Sequence, residues 1–184
     1  MMGALREEDL PNYTYEDYLL WEGDWEMVEG IAYAMSPAPT ITHQEINGNI
    51  YSAMKEALQN CKNCKVLPEV DWKIADDTVV RPDTLVVCNL KDRGAALEQT
   101  PSIIFEVLSP STKKKDRNLK YNLYASQKVK YYIMVDPAGM FAEVYRLNEN
   151  GVYRMEGEFK SECYHFDIGG CAFDFSFETV FDID

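Results

Sequence analysis

With 184 residues, 46% of them apolar, the chain is long enough to build one domain around a sizeable core. Its 31 acidic against 18 basic residues leave a net charge of −13. Such a surface repels nucleic acid at long range, so a nucleic-acid role needs a local basic patch, a bound metal or a partner. No run approaches the roughly 20 apolar residues that span a bilayer. Five cysteines, an odd number, behind a polar and acidic start without an apolar leader point to a reduced, cytoplasmic chain without disulfides.

Residues 1–12 read as an N-terminal extension to a single domain. Thr14-Tyr15-Glu16-Asp17 forms a capping box that opens a short helix through Trp21. Trp25 to Met35 reads as two strands turned at Glu29-Gly30, and Ser36-Pro37-Ala38-Pro39 as a loop. A helix starts at Thr40 or Thr42 and runs to about Asn60, with Ile46, Ile50, Ala53, Met54, Ala57 and Leu58 at helical spacing. Three strands are expected next, over 65–74, 79–88 and 102–108. The polar stretch between the last two, 89–101, reads as a flexible connection. Ser109-Pro110-Ser111-Thr112 supplies a turn and N-cap for a helix from Lys113 to Gln127. Further strands are expected over 130–135, 141–147 and 152–155, and the aromatic, acidic segment 163–184 is expected to pack on the core as strand and irregular chain. Helices before and within a run of strands define an α+β protein with a mixed sheet flanked by helices.

Two carboxylates dominate this pattern. Asp83 and Glu106 each sit in a short apolar run, and an ionised carboxylate buried in a strand costs several kcal/mol unless a partner neutralises it. Two close carboxylates also oppose each other's ionisation. A divalent cation between them removes both conflicts, because hard cations take oxygen ligands.

The surrounding motifs carry a resemblance. Arg81-Pro82-Asp83, then Glu106-Val107-Leu108-Ser109-Pro110-Ser111-Thr112, Asp116-x-x-x-Lys120-x-x-x-Tyr124 and Tyr131-Tyr132-Ile133-Met134-Val135-Asp136-Pro137 stand in order along the chain. Together with Trp25-Glu26-Met27-Val28-Glu29-Gly30 and Ser36-Pro37-Ala38-Pro39-x-x-x-His43, this arrangement resembles the Uma-two family of restriction-endonuclease-like proteins, over about 13–147. That family is similar in turn to the PD-(D/E)xK nucleases, which have a mixed sheet flanked by helices and cut phosphodiesters with Mg²⁺. The resemblance implies that Asp83, Glu106 and the Val107 carbonyl hold Mg²⁺ or Mn²⁺, and that Glu26 assists with a second metal or its water. The nuclease pattern places a lysine two residues after the glutamate, on the same strand face, but this chain has Leu108 there. Lys120 is the substitute, with Asp116 and Tyr124 at i−4 and i+4 on the same helix face.

Each residue also has a plainer reading. Asp83 could end a strand facing solvent, and Glu106 could pair with Lys120 as a structural ion pair. Asp116 with Lys120 fits a plain helix pair, and Tyr124 a half-buried core aromatic. His43 sits at a helix start, where a structural or capping role competes with a supporting one. Lys113 and Lys114, in a three-lysine run, suit either phosphate contact or a solvated helix start. Cys61-x-x-Cys64 supplies two of the four ligands zinc takes, and Cys88, Cys163, Cys171 and His165 show no second paired spacing, so the pair reads as structural.

The expected function is a metal-dependent endonuclease acting on DNA, with a homodimer as the expected assembly. The rival is an inactive nuclease-fold module for binding or dimerisation, favoured by the acidic surface, by Leu108 and by 12 Tyr and 3 Trp available for contact patches.

Overall fold

The computed structural model describes residues 10–35 and 38–183. Ser36, Pro37 and most of the expected N-terminal extension lie outside the described residues. Helix α1 (Tyr15–Tyr18) starts with the expected capping box, in which Thr14 and Asp17 satisfy each other's backbone N–H groups. Strands β1 (Trp25–Val28) and β2 (Ile31–Ala34) form the expected hairpin. Helix α2 (Ile41–Ala57) is capped by the Thr40 hydroxyl and buries Ile46, Asn47, Ile50 and Met54.

The two longer strands expected next are each broken in two. β3 (Cys64–Pro68) and β4 (Trp72–Ala75) replace the first; β5 (Thr78–Val80) and β6 (Thr84–Cys88) replace the second. Glu69 turns the first break with a positive φ of 45°. Pro82, which cannot donate to a ladder, stands in the second. Each break carries the chain from one sheet into another. β1, β2, β4 and β5 form a small sheet in the order β2-β1-β5-β4.

The large sheet has the order β10-β9-β8-β7-β6-β3. It contains β7 (Ile103–Val107), β8 (Tyr131–Asp136), β9 (Phe141–Leu147) and β10 (Tyr153–Phe159). Only β7 and β8 pair in parallel, joined by a helical crossover. That crossover comprises α3 (Lys113–Lys115), a π-helical turn (Asp116–Lys120) and α4 (Tyr121–Ser126), where the sequence pattern predicts one uniform helix. The 89–101 connection is pinned, not loose: Leu97 is buried, bridges to Trp72, and exchanges backbone hydrogen bonds with Asp71 and Lys73.

Strand alternation divides the core across the large sheet. Phe105, Val107, Ile133 and Val135 face α2 and the C-terminal hairpin β11 (Cys163–Ile168)–β12 (Cys171–Ser176), where Phe166, Phe173 and Phe175 pack. Ile104, Leu108, Tyr132 and Met134 face the crossover and the small sheet, against Tyr124, Trp72 and Val28. The result is the expected mixed α+β class. Among the described residues no helix is long and apolar enough to cross a membrane.

The cysteines depart from expectation. Cys61 pairs with Cys171 and Cys64 with Cys88 as disulfides, and only Cys163 is free and exposed. Cys64 lies directly opposite Cys88 in the β3–β6 ladder. The β11–β12 turn brings Cys171 to the end of α2. Neither proximity can be read from sequence spacing, because both depend on long-range register.

Candidate active site

Asp83 immediately precedes β6, and Glu106 is the fourth residue of β7. The register pairs Thr84 with Phe105, so Asp83 falls opposite Glu106, with both on one side of the sheet. The Val107 N–H donates to Asp83 Oδ2 at 2.7 Å. From α2, the buried Asn47 amide donates to the Asp83 carbonyl at 3.2 Å and accepts the Thr84 hydroxyl at 2.7 Å. Asp83 is thus held by the strand beside it and the helix above it. Asn47 was not anticipated; nothing in the helical period distinguishes it from a surface polar residue.

Glu106 is 3% exposed. Its Oε1 accepts from Lys120 Nζ at 2.9 Å and from the Tyr124 hydroxyl at 2.7 Å. Lys120, also 3% exposed, lies 2.8 Å from Glu26 Oε1 and 3.7 Å from Asp116 Oδ1. Lys120 therefore reaches Glu106, a contact that the plainer ion-pair reading also requires, while Leu108 is buried among apolar neighbours. Burial alone would lower the Lys120 pKa, but Glu106, Glu26 and Asp116 outweigh it and hold the ammonium well above its ordinary range.

One lysine cannot neutralise all the carboxylates around it. Burial pushes Glu106 up, and Asp116, Asp83 and Glu26 outnumber Lys120 in the fields they add, so its pKa lies well above the usual carboxylate range. Asp116 is raised for the same first reason, its burial. Tyr124, buried beside Glu106, keeps its phenolic proton.

Glu26 behaves oppositely. Burial would raise it, but Lys120 and Lys115 overcome that and hold it at about 2. Its Oε1 also accepts the Arg81 N–H at 2.9 Å, and its Oε2 meets Lys115 Nζ at 2.5 Å. With both oxygens taken, Glu26 anchors Lys120 and closes the small sheet onto the crossover. Its folded pKa is depressed, so its stabilisation is complete above the unfolded value near 4.5 and is lost as pH falls toward 2. Glu26→Gln is expected to cost about 3 kcal/mol at neutral pH, with the gap to the parent closing between pH 4.5 and 2. Urea unfolding of both proteins across that range checks it; a gap that does not shrink refutes the assignment.

The supporting residues separate. His43 Nε2 stands 3.4 Å from Asp83 Oδ2 and also meets the Val107 backbone, while its Nδ1 is buried without a hydrogen-bond partner among the described residues. Burial lowers the imidazole, but Asp83 and Val107 more than restore it, so its pKa lies above the ordinary value. Lys113 pairs with Asp136 at 3.1 Å, and Lys114 is exposed. Lys115, the third lysine of the run, is the one that enters the cluster.

Asp83, Glu106 and the Val107 backbone suit a hard divalent cation. Asp83 Oδ1 and Glu106 Oε2 carry no hydrogen bond among the described residues, and the nearby Asp83 carboxylate disfavours charge on Glu106. Among the described residues no three His, Cys, Asp or Glu side chains form a ready-made cage. Mg²⁺ does not require one, since it keeps several waters and is commonly held by one or two carboxylates.

The comparisons agree with this architecture. A family model described as "Putative restriction endonuclease", Uma2, matches residues 15–162, and the chain belongs to that family. An "Uncharacterized protein slr1290" from Synechocystis is 29% identical over 150 residues, covering 77% of each chain. A crystal structure titled as a putative nuclease belonging to DUF820, from Anabaena variabilis, superposes with a TM-score of 0.74. That likeness covers 92% of this chain and 97% of the other at 16% identity, and it is a likeness of fold.

Proposed function

We propose that this protein is a nuclease that hydrolyses phosphodiester bonds in DNA with Mg²⁺ or Mn²⁺. The observation that carries the reading is the pairing of Asp83 and Glu106 across adjacent strands, with an unengaged oxygen on each and Lys120 on Glu106. A bound divalent cation would supply Lewis acidity, polarising a phosphate oxygen and acidifying a water. Asp83, Glu106 and the Val107 carbonyl would hold it. Lys120 positions the nucleophile and offsets charge on the phosphoryl oxygens. Tyr124 orients Glu106, Glu26 positions Lys120, and His43 steadies Asp83. Exposed Lys114 is available to a backbone phosphate, a local exception on an acidic chain. A cytoplasmic setting belongs to this reading, as does a homodimer, for which exposed Leu19 and Leu20 beside Trp21 offer an apolar face.

Purified protein should nick supercoiled plasmid with Mg²⁺ or Mn²⁺, not with EDTA, and Asp83→Ala should abolish cutting. Cutting retained in both Asp83→Ala and Glu106→Ala would refute the reading. The rival, a nuclease fold kept as a binding module, draws on the engagement of Lys120 by three carboxylates. A Mn²⁺ titration that gives no heat would favour that rival.

A further inference from the structure

We propose that Cys61, Cys64, Cys88 and Cys171 form a structural zinc site in the reduced chain, at the far end of β6 from Asp83. Cys61 and Cys64 share one tight turn after α2, closed by a Cys64 N–H to Cys61 carbonyl hydrogen bond of 2.9 Å. A Cys-x-x-Cys turn is the usual half of a four-cysteine zinc site. The fold brings the other half to it. Cys88 ends β6 opposite Cys64, and Cys171 opens β12 next to Cys61. All four are buried, between 6% and 8% exposed.

Three chain segments are tied together at this point. The Asn89 N–H donates to the Asn63 carbonyl at 2.7 Å, and the Asn63 amide donates to the Gly169 carbonyl and to Asn89 Oδ1, both at 3.3 Å. Gly169 has a φ of +51°, and a Cβ there would meet Cys88 Cβ at 2.9 Å and its Sγ at 3.2 Å. Glycine at this turn lets the hairpin close onto the thiols. Asp83 is five residues back along β6, about 17 Å away at strand rise, so the two sites are separate.

With both sulfur pairs closed, no three ligating side chains among the described residues stand free for a metal. Each disulfide takes two electrons from an external reductant and yields two thiols: two thiols supply the protons and become a disulfide, or a phosphine takes the oxygen of a water, whose two protons go to the sulfurs, and becomes its oxide. Zinc binding then releases the thiol protons to solvent and leaves four thiolates on the metal. The Cα separations of 5.9 Å for Cys61–Cys171 and 3.9 Å for Cys64–Cys88 give each cysteine of the turn a second thiol within reach. Four thiolates in a closed, buried set suit structural zinc.

The test is metal analysis of the full chain purified with a phosphine reductant and no chelator. The expected content is about one zinc per chain. Cobalt substitution should give an intense tetrahedral spectrum with a thiolate charge-transfer band. Cys88→Ser and Cys171→Ser should lose that band, while Cys163→Ser keeps it. Circular dichroism monitors their folding, and the cobalt spectrum of the unaltered chain stands whether or not the variants fold. A reduced chain with five titratable thiols, no zinc and no cobalt charge-transfer band overturns the proposal. A band that survives in folded Cys88→Ser and Cys171→Ser overturns it equally.

Discussion

Lys120→Met is expected to destabilise the fold by about 3–5 kcal/mol at neutral pH, the usual cost of breaking a buried pair from one side. The side chain keeps its length and packing, but Glu106, Glu26 and Asp116 lose the ammonium they share. The pH dependence separates this cause from simple misfit. In the variant all three carboxylates titrate higher than in the parent, and each regains neutrality by taking a proton. The destabilisation is therefore greatest from neutral to mildly alkaline pH, where the carboxylates are charged and Lys120 keeps its proton, and shrinks on acidification. The contribution of Lys120 itself is present below its unfolded pKa and disappears only as pH rises through its elevated folded value. Urea unfolding at pH 8 and pH 4 should show the gap between variant and parent narrowing at the lower value. A gap below about 1 kcal/mol at both would mean the lysine contributes no more than a surface pair.

Glu106→Gln should do the reverse, removing function while sparing the fold. Charge on Glu106 is disfavoured in the folded state, because burial and neighbouring carboxylates raise its pKa well above the ordinary value. Its ionisation therefore subtracts stability above the unfolded pKa, most fully once pH exceeds the folded one. Glutamine cannot ionise, and its amide can still meet Tyr124. Lys120 keeps Glu26 and Asp116, so the variant should be within about 1 kcal/mol of the parent at neutral pH, or more stable. Mn²⁺ heats in calorimetry and plasmid nicking should both vanish. Strong Mn²⁺ binding by this variant would remove Glu106 from the metal site and leave its burial without a functional reason. A folding cost of several kcal/mol would instead make it a structural ion-pair member.

Local signals told most of this in advance. The Thr14 capping box, the Thr40 cap, the β1–β2 turn at Glu29-Gly30 and the buried run around Glu106 depend on near neighbours, and each forms where the chain predicts it. Lys120 was also legible, because four-residue spacing put it on one face with Tyr124. The hidden features are those decided by distant partners. The runs 65–74 and 79–88 look continuous because each half is apolar; only assembly shows that the halves serve different sheets. Pro82 was the available warning. Glu26 was expected near metal, yet Lys115 and the Arg81 N–H claim it, and both contacts depend on docking the small sheet onto the crossover. Cys88 and Cys171 join Cys61 and Cys64 only through ladder register and the C-terminal hairpin.

The π-helical turn sets a constraint on chain length. A π turn holds one residue more than an α turn would, so it offsets α3 from α4 by about 100° about the axis. That offset lets Lys115 reach Glu26 and Lys113 reach Asp136 while Lys120 and Tyr124 face Glu106. Losing one residue between 116 and 120 would give a more regular helix and unhitch the lysines before it from both carboxylates. The Asn148–Gly151 turn, by contrast, is exposed from Glu149 to Gly151 and has solvent into which an extra residue can bulge. Homologues can therefore differ in length at that hairpin, whereas drift at the crossover would be filtered by the site it aligns.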